Sequence, residues 1–217
     1  WFHVDDLNDH RPPLGIPDFV WTESRVVWNK VDAVMDRQFH NIHPNEEVDI
    51  ELLCALLNTR LVWLAREIEG RHAGGEGMTR NRMVLYEAEQ LPLPVDPREL
   101  TTGECDQIKS AFQDLLDREE ELTEMAAKAE DAEEELDLLA EKENERDELD
   151  KAVLKTLDAE GRLNELKQAI NALLDLRRKG SGEETEVLVD RAEEKEIIEL
   201  EGVDEAREST RLSDFGS

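Results

Sequence analysis

Cysteine occurs only twice, at positions 54 and 105, and lysine nine times against 17 arginines. Two cysteines build no disulfide framework, and with no Cys-x-x-Cys pair there is no soft-ligand metal site, so a reducing, cytoplasmic setting is expected. His40-x-x-His43 sits beside Pro44 rather than on a helix face, and no metal is assigned to it. No apolar run approaches the ~20 residues a bilayer span requires and no secretory leader is visible, so no membrane partner is expected. Gly-x-Ser-x-Gly is absent, and neither cysteine is framed by a base, which leaves no candidate nucleophile. The run Gly74-Gly75-Glu76-Gly77 follows a helical pattern rather than a strand and lacks the Lys-Ser/Thr of a nucleotide-binding loop. No catalytic residue is nominated.

Acid is abundant instead. The 217 residues carry 55 acidic and 26 basic side chains, a net charge of −29. Residues 1–100 hold 18 acids and 10 bases, so most of the excess lies further on. Acid spread over the surface with lysine depleted is what molar salt tolerates, because screening there falls to a few Å and self-repulsion is muted. A halophilic protein is therefore expected. The other reading is an acidic tail on an ordinary protein. The 39% apolar content supports a real core. The start at Trp1 reads as the later part of a longer polypeptide, or a trimmed one.

Hydrophobic periodicity then divides the chain. Residues 1–24, rich in Pro and His, read as a loop feeding a strand, and Arg25 to Ile42 as two or three short strands with tight turns. After the breaker His43-Pro44-Asn45, with Asn45 as N-cap, one helix is expected from about Glu46 to Glu69. Its buried face would carry Leu52, Leu53, Leu56, Leu57, Leu61, Leu64 and Ile68. Gly70 ends it, and the following glycines permit positive φ or close backbone approach. Met83 to Tyr86 reads as a short strand, Glu87 to Gln90 as a turn, and Leu91-Pro92-Leu93-Pro94 as an extended exit. Thr101 and Glu104 stand at capping-box spacing before a stripe of Ile108, Ala111, Phe112, Leu115 and Leu116. A long helix or helical pair is expected from Glu119 to Asp150. Two further stripes follow: Leu149, Ala152, Val153, Thr156, Leu157, and then Leu163, Leu166, Ile170, Leu173, Leu174, with a corner at Gly161.

One window departs from the acidic background. Between Arg60 and Arg82 five arginines (Arg60, Arg66, Arg71, Arg80, Arg82) face three acids. Arginine forks onto guanine or phosphate, asparagine pairs with adenine, and glycine lets backbone N–H groups close on a phosphate. Arg71, Arg80, Asn81 and Arg82 are the leading candidates for DNA contacts, with Arg60, Arg66 and His72 behind them. The competing reading is that these arginines neutralise neighbouring acids such as Glu67, Glu69, Glu76, Glu87 and Glu89.

The order of features from Val26 to Pro97 resembles the C-terminal target-recognition region of adenine-specific (N6) DNA methyltransferases, closest to the haloarchaeal restriction-modification type. That family carries a helix with a Leu-Leu-Ala-Leu-Leu-Asn-Ser motif, met here within Leu52-Leu53-Cys54-Ala55-Leu56-Leu57-Asn58-Thr59, with Thr in place of Ser. A glycine-rich segment, a short strand and a Leu-Pro-x-Pro exit follow, the last at Leu91 to Pro94. The segment from Glu148 to Arg178 resembles the family's tail, and the likeness spans roughly residues 20–180.

The family's Asn/Asp-Pro-Pro-Tyr/Phe motif, which holds the target adenine, is absent, and so is a glycine loop after a strand for S-adenosylmethionine. The resemblance therefore implies double-stranded DNA as ligand, no cofactor in this chain, and a methyltransferase catalytic segment or subunit that binds S-adenosylmethionine and flips the base. The expected architecture is α+β: a target-recognition-like region over residues 1–100, helices over 101–180, and a partly disordered acidic tail over 181–217. The rival readings are a helical protein–protein module and, behind it, a DNA-mimicking acidic inhibitor.

Overall fold

A computed structural model describes residues 11–21, 23–44, 48–73, 80–128 and 142–179. The expected cap at Asn45, the glycine run at 74–77, the stretch 129–141 and the tail from 180 onward lie outside the described residues. The architecture is α+β, with two small antiparallel sheets and six helices among the described residues.

The first sheet has β1 (Leu14–Pro17) between β3 (Val27–Trp28) and β4 (Phe39–Ile42). The second has the order β2 (Phe19–Val20), β6 (Arg80–Arg82), β5 (Arg71–Ala73). Asp18 joins them: its N–H donates to Gln38 O at 2.7 Å, and its carbonyl accepts from Met83 N at 3.0 Å. The segment read as a loop thus supplies two strands. Between β3 and β4 the chain is held by Asn29, whose amide accepts from Ala33 N and donates to Ala33 O, with Asp32 in the left-handed region at φ 53°.

The single helix expected from Glu46 to Glu69 is two. Helix α1 runs Ile50–Leu57, capped by Asp49, and α2 runs Arg60–Glu69, capped by Thr59. The break follows from the side chains at the junction. Asn58 folds back to bond Val26 in both directions, accepting from its N–H and donating to its carbonyl, each at 3.0 Å. Thr59 accepts from Val62 N and donates to Leu56 O at 2.8 Å. Short polar side chains that compete for backbone groups terminate helices. Every residue of α1 from Leu52 to Leu57 is buried, so α1 is a central rod rather than an amphipathic surface helix.

After α2 the expected strand at Met83–Tyr86 is displaced. The strand is β6, and Leu85–Ala88 forms a one-turn helix, α3, because the Glu87 carboxylate reaches back to the Val84 N–H at 2.9 Å. Helix α4 (Thr102–Ala126) begins at the expected capping box: the Glu104 carboxylate accepts from Thr101 N at 2.8 Å, and the Thr101 hydroxyl accepts from Glu104 N. Helix α5 spans Glu143–Thr156, a short 3-10 turn at Glu160–Arg162 holds Gly161, and α6 spans Leu163–Lys179.

The main core takes Leu14, Ile16 and Ile42 from the first sheet, the whole apolar run of α1, Ile108, Phe112 and Leu115 from α4, and Leu149 and Val153 from α5. Trp28 stacks on Phe112 with ring centroids 6.3 Å apart. A smaller cluster pairs Trp63 of α2 with Leu166, Ile170 and Leu174 of α6. This main cluster takes residues from both sides of position 100.

Polar groups tie the same elements together. Asp150 of α5, fully buried, accepts the Arg60 backbone N–H at 2.8 Å and its Nη1 at 2.6 Å; Asp147 and Glu143 take the rest of that guanidinium. Removing one partner of a buried pair strands the other charge. Asp150→Ala is expected to lower stability by about 3 kcal/mol, read as a fall in the urea unfolding midpoint. An unchanged midpoint would show that the pair contributes nothing.

Candidate nucleic-acid interface

The β2–β6–β5 sheet sorts the arginine window by pleat. Phe19, Arg82 and Arg71 are register partners across the three strands, as are Val20, Asn81 and His72 in the next row. Alternation puts the two rows on opposite faces and returns Arg80 to the face of Arg82. Burial agrees: Val20 is 4% and Asn81 0% exposed, while the side chains of Arg71 and Arg82 are 58% and 48% exposed.

The inner row is structural. Asn81 Nδ2 donates to Arg66 O at 3.1 Å, at the C-terminal end of α2. Gly70 lies against this amide: a Cβ there would stand 2.3 Å from Asn81 Oδ1 and 2.7 Å from Arg66 O. Its backbone is extended (φ −73°, ψ 156°), so the requirement is close approach and not the positive φ expected after a helix. Asn81, nominated as an adenine reader, has its amide committed inward. The backbone of His72 pairs opposite Asn81, and its side chain lies outside the described residues.

Arg66 and Arg60 are also inside. Arg66 is 1% exposed, and its Nη2 donates to Pro17 O at 2.6 Å. Burial pushes its pKa down to about 10, against the pull of Glu67 and Asp18. Arg60 is 3% exposed within its carboxylate cluster. Neither guanidinium reaches the exposed face of the β2–β6–β5 sheet; both are bonded inside the scaffold. The cause is that α2 is buried on more sides than its leucine stripe predicts: one side faces α6, and the Arg60 and Arg66 side chains face α5 and β1–β2.

The outer row keeps Arg71, Arg80 and Arg82 together, with rings that the sequence reading did not single out. Arg80 Cζ lies 3.8 Å from the Phe19 ring centroid and 5.7 Å from that of Trp21; Arg82 Cζ lies 5.3 Å from Phe19. Arg71 lies over Tyr86 at 5.6 Å and bonds its hydroxyl. Phe-Val-Trp alternation at positions 19–21 is the signal that could have found the first two.

Two carboxylates meet these three cations. Arg71 pairs with Glu87 at 2.7 Å, and Arg82 Nε lies 3.5 Å from Asp18 Oδ1. Burial raises the pKa of Glu87, but the Val84 N–H and Arg71 outweigh it and hold it below the usual glutamate value. Arg80 has no carboxylate partner among the described residues. The charge-balancing reading thus holds for Arg71, loosely for Arg82, and leaves Arg80 over. His40, on the inner side, gives its Nε2 to a 2.7 Å contact with Met83 O.

A family model described as "Type II methyltransferase M.Eco57I, C-terminal domain" matches residues 1–133. The chain belongs to this family. No curated protein and no solved structure matches. The match takes in both sheets and α1 to α4, and thus the arginine face; it stops short of α5, whose Asp150 and Arg146 nonetheless close the core of this M.Eco57I-type C-terminal domain.

Gly70→Ala is expected to push β6 away from α2 and lower stability by roughly 1–3 kcal/mol, measured by thermal unfolding. A Tm equal to that of the parent would show that Gly70 tolerates a side chain.

Proposed function

We propose that this chain is the DNA-binding, target-recognition portion of an N6-adenine DNA methyltransferase from a restriction-modification or related defence system. One observation carries the reading: within a methyltransferase C-terminal domain, three arginines share one exposed sheet face. Arg80 and Arg82 are the principal contacts, with Arg71 beside them. The Arg71 and Arg82 guanidinium groups are about half exposed, so a phosphate or guanine could reach them beside Glu87 and Asp18.

Methyl transfer belongs to a preceding segment or a partner subunit. Both sheets among the described residues are antiparallel and three-stranded. No described helix is long and apolar enough to cross a membrane.

A net charge of −29 with scarce lysine supports a molar-salt habitat. There, counterion release contributes little to binding, and hydrogen bonds to bases together with shape carry more of the affinity. A second reading, a helical protein–protein module, draws on an apolar groove of about 460 Å³ lined by Leu61, Leu64, Leu154, Leu157 and Leu166 between α2, α5 and α6. The catalytic segment or subunit is the partner it would serve.

The double variant R80Q/R82Q is expected to bind duplex DNA at least tenfold more weakly in high-salt buffer. Its slope of log affinity against log salt should be shallower by about two, with unchanged circular dichroism. Duplex affinity equal to that of the parent would remove the face from the DNA reading and favour the module.

A further inference from the structure

The outer face carries more than charge. Along it, rings and guanidinium groups alternate: Trp21, Arg80, Phe19, Arg82. Arg80 lies between two rings and is half-buried, so its guanidinium is pre-positioned rather than free to swing. The series ends in an indole that is 49% exposed. The backbone beneath that indole is pinned: Arg177 of α6 donates to the carbonyls of both Val20 and Trp21, so the ring is presented from a fixed base. The nearest acid in sequence, Glu23, is turned away into contacts with Arg25, Lys142 and Arg146. At the far end of the face Tyr86 is equally open, but its hydroxyl is already engaged by Arg71 and the Glu87 carboxylate. Arg80 lies beside Trp21 with no carboxylate partner among the described residues, whereas at the Tyr86 end Arg71 is paired with Glu87.

Resting on the DNA-binding reading, we infer that Trp21 is a stacking platform for an unpaired nucleobase of the bound DNA. Arg80 holds the indole and offers its charge to the flanking phosphate. A base inside an intact duplex has both faces covered by its neighbours; a base without its pairing partner has a face to give. Aromatic stacking on such a base tolerates any sequence, and being apolar it releases few counterions, so it persists where salt has weakened phosphate contacts.

The test uses the full chain and two fluorescent probes, a paired duplex and the same duplex with one bulged adenine. The parent is expected to prefer the bulged probe, by roughly 5- to 150-fold, the span of one lost base stack, and to keep that ratio as salt rises. W21A should collapse the ratio towards one, while W21F, which keeps a ring, retains most of it. With 2-aminopurine as the bulged base, its emission should fall on binding the parent and not W21A. Melting followed by circular dichroism confirms that both variants fold. A parent that binds both probes equally, or a W21A variant that keeps the preference, overturns the stacking role and leaves duplex binding standing. A parent that binds neither probe in any salt overturns both.

Discussion

A buried charge pair at the junction of α1 and α2 is the constraint on which this molecule turns. Asp150 approaches from more than eighty positions further along the chain and caps α2, accepting the Arg60 N–H with one oxygen and the Arg60 guanidinium with the other. Burial raises the Asp150 pKa, and Arg60 opposes that rise. One turn earlier on α5, Arg146 donates to the carbonyls of Ser24 and Asn58, contacts Glu23 and lies 5.0 Å from the Trp63 ring. These bonds bring α5 to the broken helix, and with α5 comes the apolar surface of Leu149 and Val153 that closes the main core. A pair this deep costs desolvation on both sides, so its geometric role, fixing how α5 meets α2, is the better account of it than net stability.

A second internal network supports the exposed sheet. Arg177 reaches from α6 to the carbonyls of β2 and lies 3.4 Å from Glu67, whose carboxylate also accepts from Trp63 Nε1. Arg66 bonds Pro17 O, and Asn81 bonds Arg66 O. Arginine thus does two jobs in one short window. Inside, it bonds the Pro17 carbonyl from Arg66 and a carboxylate cluster from Arg60; outside, it lies across rings and faces solvent. The two populations differ only in which side of a helix or strand they leave from.

Much of the scaffold was legible. The capping box at Thr101 and Glu104, the stripes of α4 to α6 and the corner at Gly161 follow from local patterns that packing reinforces. The break at Asn58-Thr59 was not read, because a continuous leucine stripe spans it and only the polar pair inside the stripe marks it. The strand at Arg80–Arg82 was placed three residues late for a similar reason: three polar residues carry no apolar alternation, and their strand character comes from pairing with β2 and β5. Of the seven residues nominated for DNA, Arg71, Arg80 and Arg82 share the open face, while Arg60, Arg66 and Asn81 turn inward.

By itself the sequence determined the α+β class, the helix-forming stripes, the anionic character and the window in which cationic side chains gather, since each depends on composition or on spacing along the chain. Which of those cations meet solvent was decided by tertiary structure. Exposure depends on what packs against each face: α5, ninety positions along the chain, covers Arg60, and the end of β1, 49 positions back, covers Arg66.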